Sequence, residues 1–298
     1  MIDVKDFFSR MSSLLSKEEL EIFIKEYEKP AFKGVRVNTL KCNEDKFLSL
    51  AGDKGDFEKT PFCKEGFYVS EESSLSGNSP LHHGGAIYFQ EPSAMSAATL
   101  LSPDKGDFVL DLCAAPGGKS TQLASALGGT GLIWSNEIVK NRANILLSNM
   151  ERCGVSNAVI SSMDPETLCS ALEGTFDKVL VDAPCSGEGM FRKDPSAYDE
   201  WSIEHTKSCS VRQLKILNSA KKALKSSGVL VYSTCTFSPE ENEQVIENFL
   251  MENPDFELME SEESFGRKTL DNKAYRIYPM DGGEGHFAAK LRKKGEDI

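Results

Sequence analysis

The chain is poor in the residues that build metal centres and membrane anchors. It has four histidines in 298 residues. Its eight cysteines include no Cys-x-x-Cys pair and no zinc-like spacing with a histidine, so no metal site is expected. No apolar run approaches the roughly 20 residues that span a bilayer. With no signal peptide at the amino terminus, the cysteines read as reduced thiols of a cytosolic (cytoplasmic) protein. Positive charge is also in deficit: 34 Lys and Arg stand against 46 Asp and Glu, a formal net charge of −12. That excludes a protein coating nucleic acid nonspecifically, but leaves room for a local basic groove, because net charge does not report distribution. There is no internal repeat and no low-complexity segment. Nothing marks an obligate oligomer, so a monomer is expected.

What is present suits a two-domain protein with a sizeable core: 40% of its residues are hydrophobic. Phe7, Phe8, Met11, Leu14 and Leu15 recur at helical spacing. Ser16 to Glu19 forms a capping box before a second helix carrying Leu20, Phe23, Ile24 and Tyr27, and Pro30 ends it. A strand at Val35–Thr39, a weak helix near Phe47–Leu50 and a strand at Phe67–Val69 follow. The Ser- and Gly-rich stretch Ser70–Pro80 is the expected boundary. It separates an α+β unit over residues 1–78 from residues 79–298.

Past residue 85 strands and helices alternate. Strands are expected at Phe108–Leu112, Gly131–Trp134, Ala158–Ile160, before Asp182 and before Cys235. A long helix through Leu214, Leu217 and Leu224 is expected to end at Gly228 as a C′ glycine. Ser238-Pro239-Glu240-Glu241 reads as the start of another helix. Tyr275–Tyr278 and His286–Lys290 read as an antiparallel hairpin at the sheet edge. Such alternation means an α/β fold with a mostly parallel sheet covered on both faces.

Two stretches stand out: Asp182-Ala183-Pro184-Cys185-Ser186-Gly187 and Ser233-Thr234-Cys235-Thr236. Each cysteine follows a short apolar run. If the runs are neighbouring strands, two thiols and a carboxylate meet at the carboxyl edge of the sheet, where open α/β sheets hold ligands. The turn Cys113-Ala114-Ala115-Pro116-Gly117-Gly118-Lys119 is not G-x-G-x-x-G, which disfavours a nicotinamide dinucleotide. Gly118-Lys119-Ser120 matches part of a phosphate-binding loop, but Cys113 stands where its first glycine belongs. What remains is a tight turn feeding a helix whose positive end suits a carboxylate. Glu137 is placed to accept from ribose hydroxyls, and Asp164 and Asp182 add acceptors. A phosphate-free nucleoside with a carboxylate and a positive centre fits this set, and S-adenosylmethionine has those features.

Taken in order, Val35–Lys41, Gln90–Met95, Asp111–Lys119, Asp182–Gly187, Ser233–Thr236 and Gly283–Phe287 resemble the Nol1/Nop2/Sun family of RNA cytosine-C5 methyltransferases, particularly its bacterial 16S ribosomal RNA members. The resemblance implies a class I, Rossmann-like methyltransferase fold with a seven-stranded sheet, and an amino-terminal domain that contacts RNA. It implies the small ribosomal subunit or its RNA as partner. Many bacterial members continue past the last motif into an extra RNA-binding region; this chain ends at Ile298, so a short form or a catalytic core is expected. The resemblance assigns the attacking thiol to Cys235, adduct resolution to Cys185 and a base contact to Asp182.

The chemistry explains the residue types. Carbon 5 of cytosine is a weak nucleophile, and a thiolate adding to carbon 6 pushes electron density onto it. A carboxylic acid near ring N3 would help by supplying a proton. Cys235 precedes the helix expected at Ser238, whose positive end would favour a thiolate. Cys42, Cys63, Cys153, Cys169 and Cys209 read as core residues, and His82, His83, His205 and His286 as surface or structural. Backbone phosphates would need cations, and the candidates are Arg36, Lys41, Arg192 and Lys193, with Lys290, Arg292, Lys293 and Lys294 in the tail. A scaffold without catalysis would not need both thiols. An amino-group methyltransferase would carry Asn/Asp-Pro-Pro-aromatic where this chain has Asp182-Ala183-Pro184-Cys185.

Overall fold

The computed structural model describes residues 5–194, 196–260, 263 and 265–295. Two helices open the chain, α1 (Lys5–Met11) and α2 (Lys17–Glu26). Both halves of the expected capping box are made, with Ser16 accepting from the Glu19 N–H and the Glu19 carboxylate accepting from the Ser16 N–H. Next come β1 (Gly34–Val37), α3 (Glu44–Ala51), β2 (Phe57–Lys59), β3 (Gly66–Val69), α4 (Pro80–His83) and β4 (Ile87–Phe89). Their strands form an antiparallel sheet in the order β2-β3-β1-β4. Because β4 pairs with β1, this sheet takes its fourth strand from beyond the 78/79 boundary expected of the sequence. The serine-rich stretch is a loop within the amino-terminal unit.

The larger unit runs α5 (Ser96–Leu101), β5 (Phe108–Asp111), α6 (Gly118–Leu127), β6 (Leu132–Asn136), α7 (Lys140–Arg152), β7 (Ala158–Ser161), α8 (Pro165–Ala171), β8 (Phe176–Asp182), α9 (Ser196–Asp199), α10 (Ile203–Ala223), β9 (Leu224–Thr234), α11 (Glu243–Glu252), β10 (Phe256–Leu258), β11 (Arg267–Thr269), β12 (Ala274–Ile277) and β13 (His286–Lys293). The sheet order is β11-β12-β13-β9-β8-β5-β6-β7, with β10 on β13. Strands β7, β6, β5, β8 and β9 are parallel, and β13 returns antiparallel to β9. The expected seven-stranded sheet is thus present, widened to nine by the three-residue strands β10 and β11. The hairpin forms as expected, but it is not the edge: β13 lies between β9 and β12.

Two helix boundaries differ from expectation. Helix α10 stops at Ala223, not Gly228, because Leu224 is already paired with Phe176 in the sheet and fully buried. Gly228 is a strand residue; a Cβ there would lie 2.7 Å from the Leu224 side chain, so it is close approach that requires glycine. Helix α11 starts at Glu243 rather than near Ser238, since Ser238 and Glu241 are held in buried contacts elsewhere.

Apolar clusters cover both faces of the large sheet. A third cluster, mostly aromatic, joins α1 and α2 to the loops that follow the two singled-out cysteines. Phe7 meets Phe191 edge-on at 5.0 Å, and Phe23 meets Phe237 at 5.6 Å. The amino-terminal helices therefore brace those loops.

Arg36 is the main polar tie between the two sheets. It is 1% exposed and donates to the Gly118 carbonyl at 2.9 Å, Thr121 Oγ1 at 2.7 Å and Gln90 Oε1 at 3.1 Å. This corrects the reading of Arg36 as an RNA contact: its guanidinium is spent inside. Replacing it leaves buried acceptors unmet, so Arg36→Ala is expected to lower stability by about 2 kcal/mol in urea unfolding. RNA affinity should change little in the fraction that stays folded.

Candidate active site

The parallel strands end along one edge, and each delivers a polar residue there, as the alternation requires. Strand β5 ends at Asp111, β6 leads into Glu137, β7 leads to Asp164, β8 ends at Asp182 and β9 leads into Cys235. A cleft of about 690 Å³ runs along this edge. Among its lining residues are Cys113, Ala115, Glu137, Asp164, Asp182, Cys185 and Cys235. Seven expected ligand-binding and catalytic positions thus converge on one cavity, while Ala114, Pro116, Gly117, Gly118 and Lys119 are not among its lining residues.

At its reactive end the Cys185 and Cys235 sulfurs lie 3.3 Å apart. The Cys185 thiol is pushed well above its ordinary range, first by its hydrogen bond to the Cys235 sulfur, then by burial and by the Cys235 and Glu241 charges. Cys185 therefore holds its proton more tightly than an ordinary thiol. Lys119 Nζ donates to Asp182 Oδ2 at 2.7 Å, and Ser233 Oγ donates to Asp182 Oδ1 at 2.8 Å. Burial opposes both charges of this pair. Burial is the largest single influence on each, but the Lys119 charge together with His286 and the hydrogen bonds from Lys119 and Ser233 holds Asp182 below the ordinary carboxylate range, while the charge and hydrogen bond of Asp182, with Cys235 behind them, hold Lys119 above the ordinary amine range. A protonated Asp182 supplying a proton to a base is thereby disfavoured.

The positive end of a helix does not activate Cys235 as expected, because α11 begins eight residues past it, at Glu243. The nearby positive charge is Lys119 instead.

At the other end, Gly117 (φ +112°) caps α6 and lets the turn approach the cleft. Glu137 is 3% exposed; its carboxylate accepts from the Val139 N–H at 3.0 Å and faces Arg142 at 3.1 Å. Asp164 caps α8 by accepting from the Thr167 N–H at 3.1 Å, and it also borders the cleft.

Three groups that sequence reading missed belong to this region. His286, expected to be structural, is 2% exposed with Nε2 facing Asp182 Oδ1 at 3.8 Å, a place beside the site that the sequence did not show. Burial and then Lys119 push it down to about 4, and it is neutral. Glu188 accepts from the Phe237 N–H and Thr236 Oγ1, both at 2.8 Å, from Ser238 Oγ at 2.7 Å and from Trp201 Nε1 at 2.9 Å. Glu241 accepts from the Ser186 N–H at 2.9 Å, Gln213 Nε2 at 2.8 Å and Ser186 Oγ. Glu188 lies between Gly187 and Gly189, a weak signal of a side chain turned inward where the backbone is tight. Glu241 carried none, being masked by the apparent helix start.

The expected RNA contacts fare less well. Arg192 has a side chain only 4% exposed; it donates to the Lys29 and Pro30 carbonyls and faces Glu284 at 3.4 Å, so it is internal like Arg36. Lys41 is exposed but donates to the Gly84 carbonyl at 2.9 Å and the Arg152 carbonyl at 2.7 Å. In the tail, Lys290 is half-buried on β13, Arg292 faces Glu257 at 3.8 Å, and Lys293 and Lys294 donate to backbone carbonyls. Lys193 is exposed. Arg212 and Lys215 on α10 line the cleft beside the thiols and were not singled out.

Comparison with known proteins decides the family. Residues 98–292 match the 16S rRNA methyltransferase RsmB/F model, and residues 4–92 match the N-terminal domain of 16S rRNA methyltransferase RsmF. The chain belongs to the RsmB/F family. Among curated relatives named ribosomal RNA small subunit methyltransferase F, one from Pectobacterium atrosepticum is 39% identical over 302 residues, covering 97% of this chain and 62% of that protein. One from Vibrio atlanticus is 38% identical, covering 97% and 63%. The chain thus spans about three-fifths of the length of these relatives. A crystal structure of a methyltransferase homologue from Pyrococcus horikoshii is 34% identical with a TM-score of 0.82, covering 94% of this chain and 92% of that one. NSun6 from the same organism, solved with the S-adenosylmethionine analogue SFG, is 25% identical with a TM-score of 0.84 and covers 98% of both chains.

S-adenosylmethionine is the cofactor of this RsmB/F fold, and the residues present fit it. The cleft has a carboxylate after β6 that suits a ribose diol, an acceptor after β7, and Cys113 and Ala115 of the turn that leads into α6. Glu137→Ala is expected to raise the dissociation constant for S-adenosylmethionine about tenfold, read by calorimetry, since a charged hydrogen-bond acceptor is worth about 1.5 kcal/mol or more.

The two buried titrations oppose each other. Burial pushes Asp111 up to about 7 despite the Ser120 hydrogen bond, so the folded state gains protons, and stability, as pH falls from about 7 towards the usual carboxylate value of 3.8. His286 at about 4 against 6.5 unfolded does the reverse, losing stability between pH 6.5 and 4. His286→Gln removes only the second effect. Relative to wild type it should become more stable on acidification from pH 7 to 4.5, by about 2–3 kcal/mol in urea unfolding. A difference that stays flat with pH would refute the neutral, buried histidine.

Proposed function

We propose that this chain methylates carbon 5 of a cytosine in ribosomal RNA of the small subunit, through a transient bond between Cys235 and carbon 6 of the base. The observation that carries the reading is the pair of sulfurs 3.3 Å apart beside a lysine-bound aspartate, in the cleft that fits the cofactor. A methyl transfer to nitrogen or oxygen would require neither thiol.

The bound cofactor supplies an electrophilic methyl group. The Cys235 thiolate attacks carbon 6, and the electron pair of the 5,6 double bond shifts onto carbon 5 and the ring carbonyl–N3 system. Asp182, kept as a carboxylate, suits the 4-amino group of cytosine as an acceptor. The Lys119 ammonium, held by Asp182, can stabilise the charge that grows on the ring. Once carbon 5 carries the methyl group, its proton must leave so that the double bond re-forms and Cys235 departs with the bonding pair. Cys185 in the thiolate form takes that proton, and beside the sulfur of Cys235 it is placed to resolve the adduct. The free enzyme holds Cys185 protonated, so its proton must first pass to solvent in the cleft that Cys185 lines. Once Cys235 is bonded to the base, its negative charge no longer opposes ionisation of Cys185.

The base must leave its stack to reach this edge, at a cost of a few kcal/mol unless it is unpaired. The cations bordering the cleft, Arg212 and Lys215, together with Lys193, replace the buried arginines as candidate backbone contacts.

Cys235→Ala is expected to abolish both methylation and adduct formation. Cys185→Ala should keep attack and lose resolution, leaving a protein–RNA species that survives denaturing electrophoresis. Adduct formation retained by Cys235→Ala and lost in Cys185→Ala would reverse the two roles. Bisulfite sequencing of RNA from cells with and without the gene reads the product and its position together.

A further inference from the structure

Two sulfurs in contact are chemically alike until their surroundings differ, and here the surroundings differ in a particular way. The residue after each cysteine carries a hydroxyl, and these two hydroxyls, Ser186 Oγ and Thr236 Oγ1, lie 3.0 Å apart. Each cysteine loop has its own buried carboxylate. Glu188 serves the Cys235 loop through Thr236, Phe237 and Ser238. Glu241, fully buried, serves the Cys185 loop. Two of its bonds come from Ser186, by N–H and hydroxyl, and a third comes from Gln213, whose amide also holds the Pro184 carbonyl at 3.0 Å. Its contact with Thr236 on the other loop is a long 3.4 Å. The Glu241 carbonyl also accepts from Tyr232 Oη at 2.6 Å, which ties it to β9 beneath Cys235.

Resting on the methyltransferase reading above, we propose that Glu241 is the positioning residue that gives the two sulfurs unequal roles. It clamps the residues flanking Cys185 against the Cys235 loop and sets a buried carboxylate on the Cys185 side of the pair. Across the pair the opposite charge, Lys119, acts on Cys235. Glu188 sets a carboxylate beside the Cys235 loop as well, but only there does the Lys119 cation offset it, which leaves the shared proton on Cys185. The upward push on Cys185, to which Glu241 contributes, agrees with this arrangement. Glu241 touches neither base nor cofactor in this account and acts only through the thiols.

The test is alkylation of Cys185 by iodoacetamide in the full chain carrying Cys235→Ser, followed at pH 8 by peptide mass spectrometry. With Glu241 present, Cys185 should react slowly. Adding Glu241→Gln, which keeps size and removes charge, should speed its alkylation at least tenfold. In the chain with both cysteines, Glu241→Gln should lower kcat for RNA methylation by tenfold or more with KM for RNA within twofold. An unchanged alkylation rate in a Glu241→Gln protein that still unfolds cooperatively overturns the proposal. If that variant does not fold, Glu241→Asp decides. The charge remains, so Cys185 should stay within threefold of its slow rate, while the shorter side chain no longer spans the loops and kcat falls. A Cys185 as reactive as in urea, or an undiminished kcat, overturns it. Alkylation needs neither RNA nor methyl transfer, so its outcome stands apart from that of the methyltransferase reading.

Discussion

One contact sets the requirements for the rest of the molecule: the two sulfurs of Cys185 and Cys235, held 3.3 Å apart at the ends of adjacent parallel strands. In the proposed reaction a nucleophile and a resolving group must both reach one ring, and a shift of an ångström in either loop would separate them. The pairing of β8 with β9 brings the loops together but does not hold them, because backbone pairing ends at Asp182 and Ser233. Beyond that point side chains take over. Glu241 and Glu188 fix the backbone after each cysteine, and the Gly189 N–H donates to the Cys235 carbonyl at 2.9 Å. The aromatic cluster of α1 and α2 then closes over Phe191 and Phe237. The amino-terminal helices thus belong to the support of the site as well as to their own unit.

Much of this was legible in the sequence. The parallel strands, the motif cysteines and the acids at strand ends follow from apolar runs of four to seven residues punctuated by polar turns, a local signal. The capping box at Ser16 is equally local, and it formed as read. What could not be read depends on distant partners. Ser238-Pro239-Glu240-Glu241 has every mark of a helix start, yet Ser238 and Glu241 are drawn to Glu188 and Ser186, about fifty residues away, and the helix begins later. Gly228 looks like a helix terminator until Leu224 is seen beneath it. The arginines failed for the same reason: a motif shows that a cation is present, not whether its partner is a phosphate or a carbonyl. Arg36 and Arg192 are held by carbonyls of this chain.

The location of charge follows from that. A chain with a net charge of −12 that spends two arginines internally has few cations left to face an anionic substrate. Of the cations that line the cleft, Arg142 faces Glu137, while Arg212 and Lys215 lie on α10, the helix that also carries Gln213 into the Glu241 cluster. The surface that would meet RNA and the clamp that orders the thiols therefore share one rigid element.

Three fully buried acids lie beneath the cleft beside the partly covered Asp182, and their presence needs a physical reason. Asp111, Glu188 and Glu241 are each at most 1% exposed, and Asp182 is partly covered. Burying an ionised carboxylate costs several kcal/mol unless donors replace the lost water. Glu188 receives four such donors; Glu241 receives at least three, which offset only part of the upward push of burial; Asp111 has one free oxygen and is pushed up to about 7. An apolar core of the same volume would be at least as stable. The acids are better understood through what apolar groups cannot do. They fix hydroxyls and amides in one arrangement, and they set the sign of the field on each sulfur. On the proposal above, the stability forgone beneath the site serves to make two neighbouring thiols unequal, so that one can attack while the other waits.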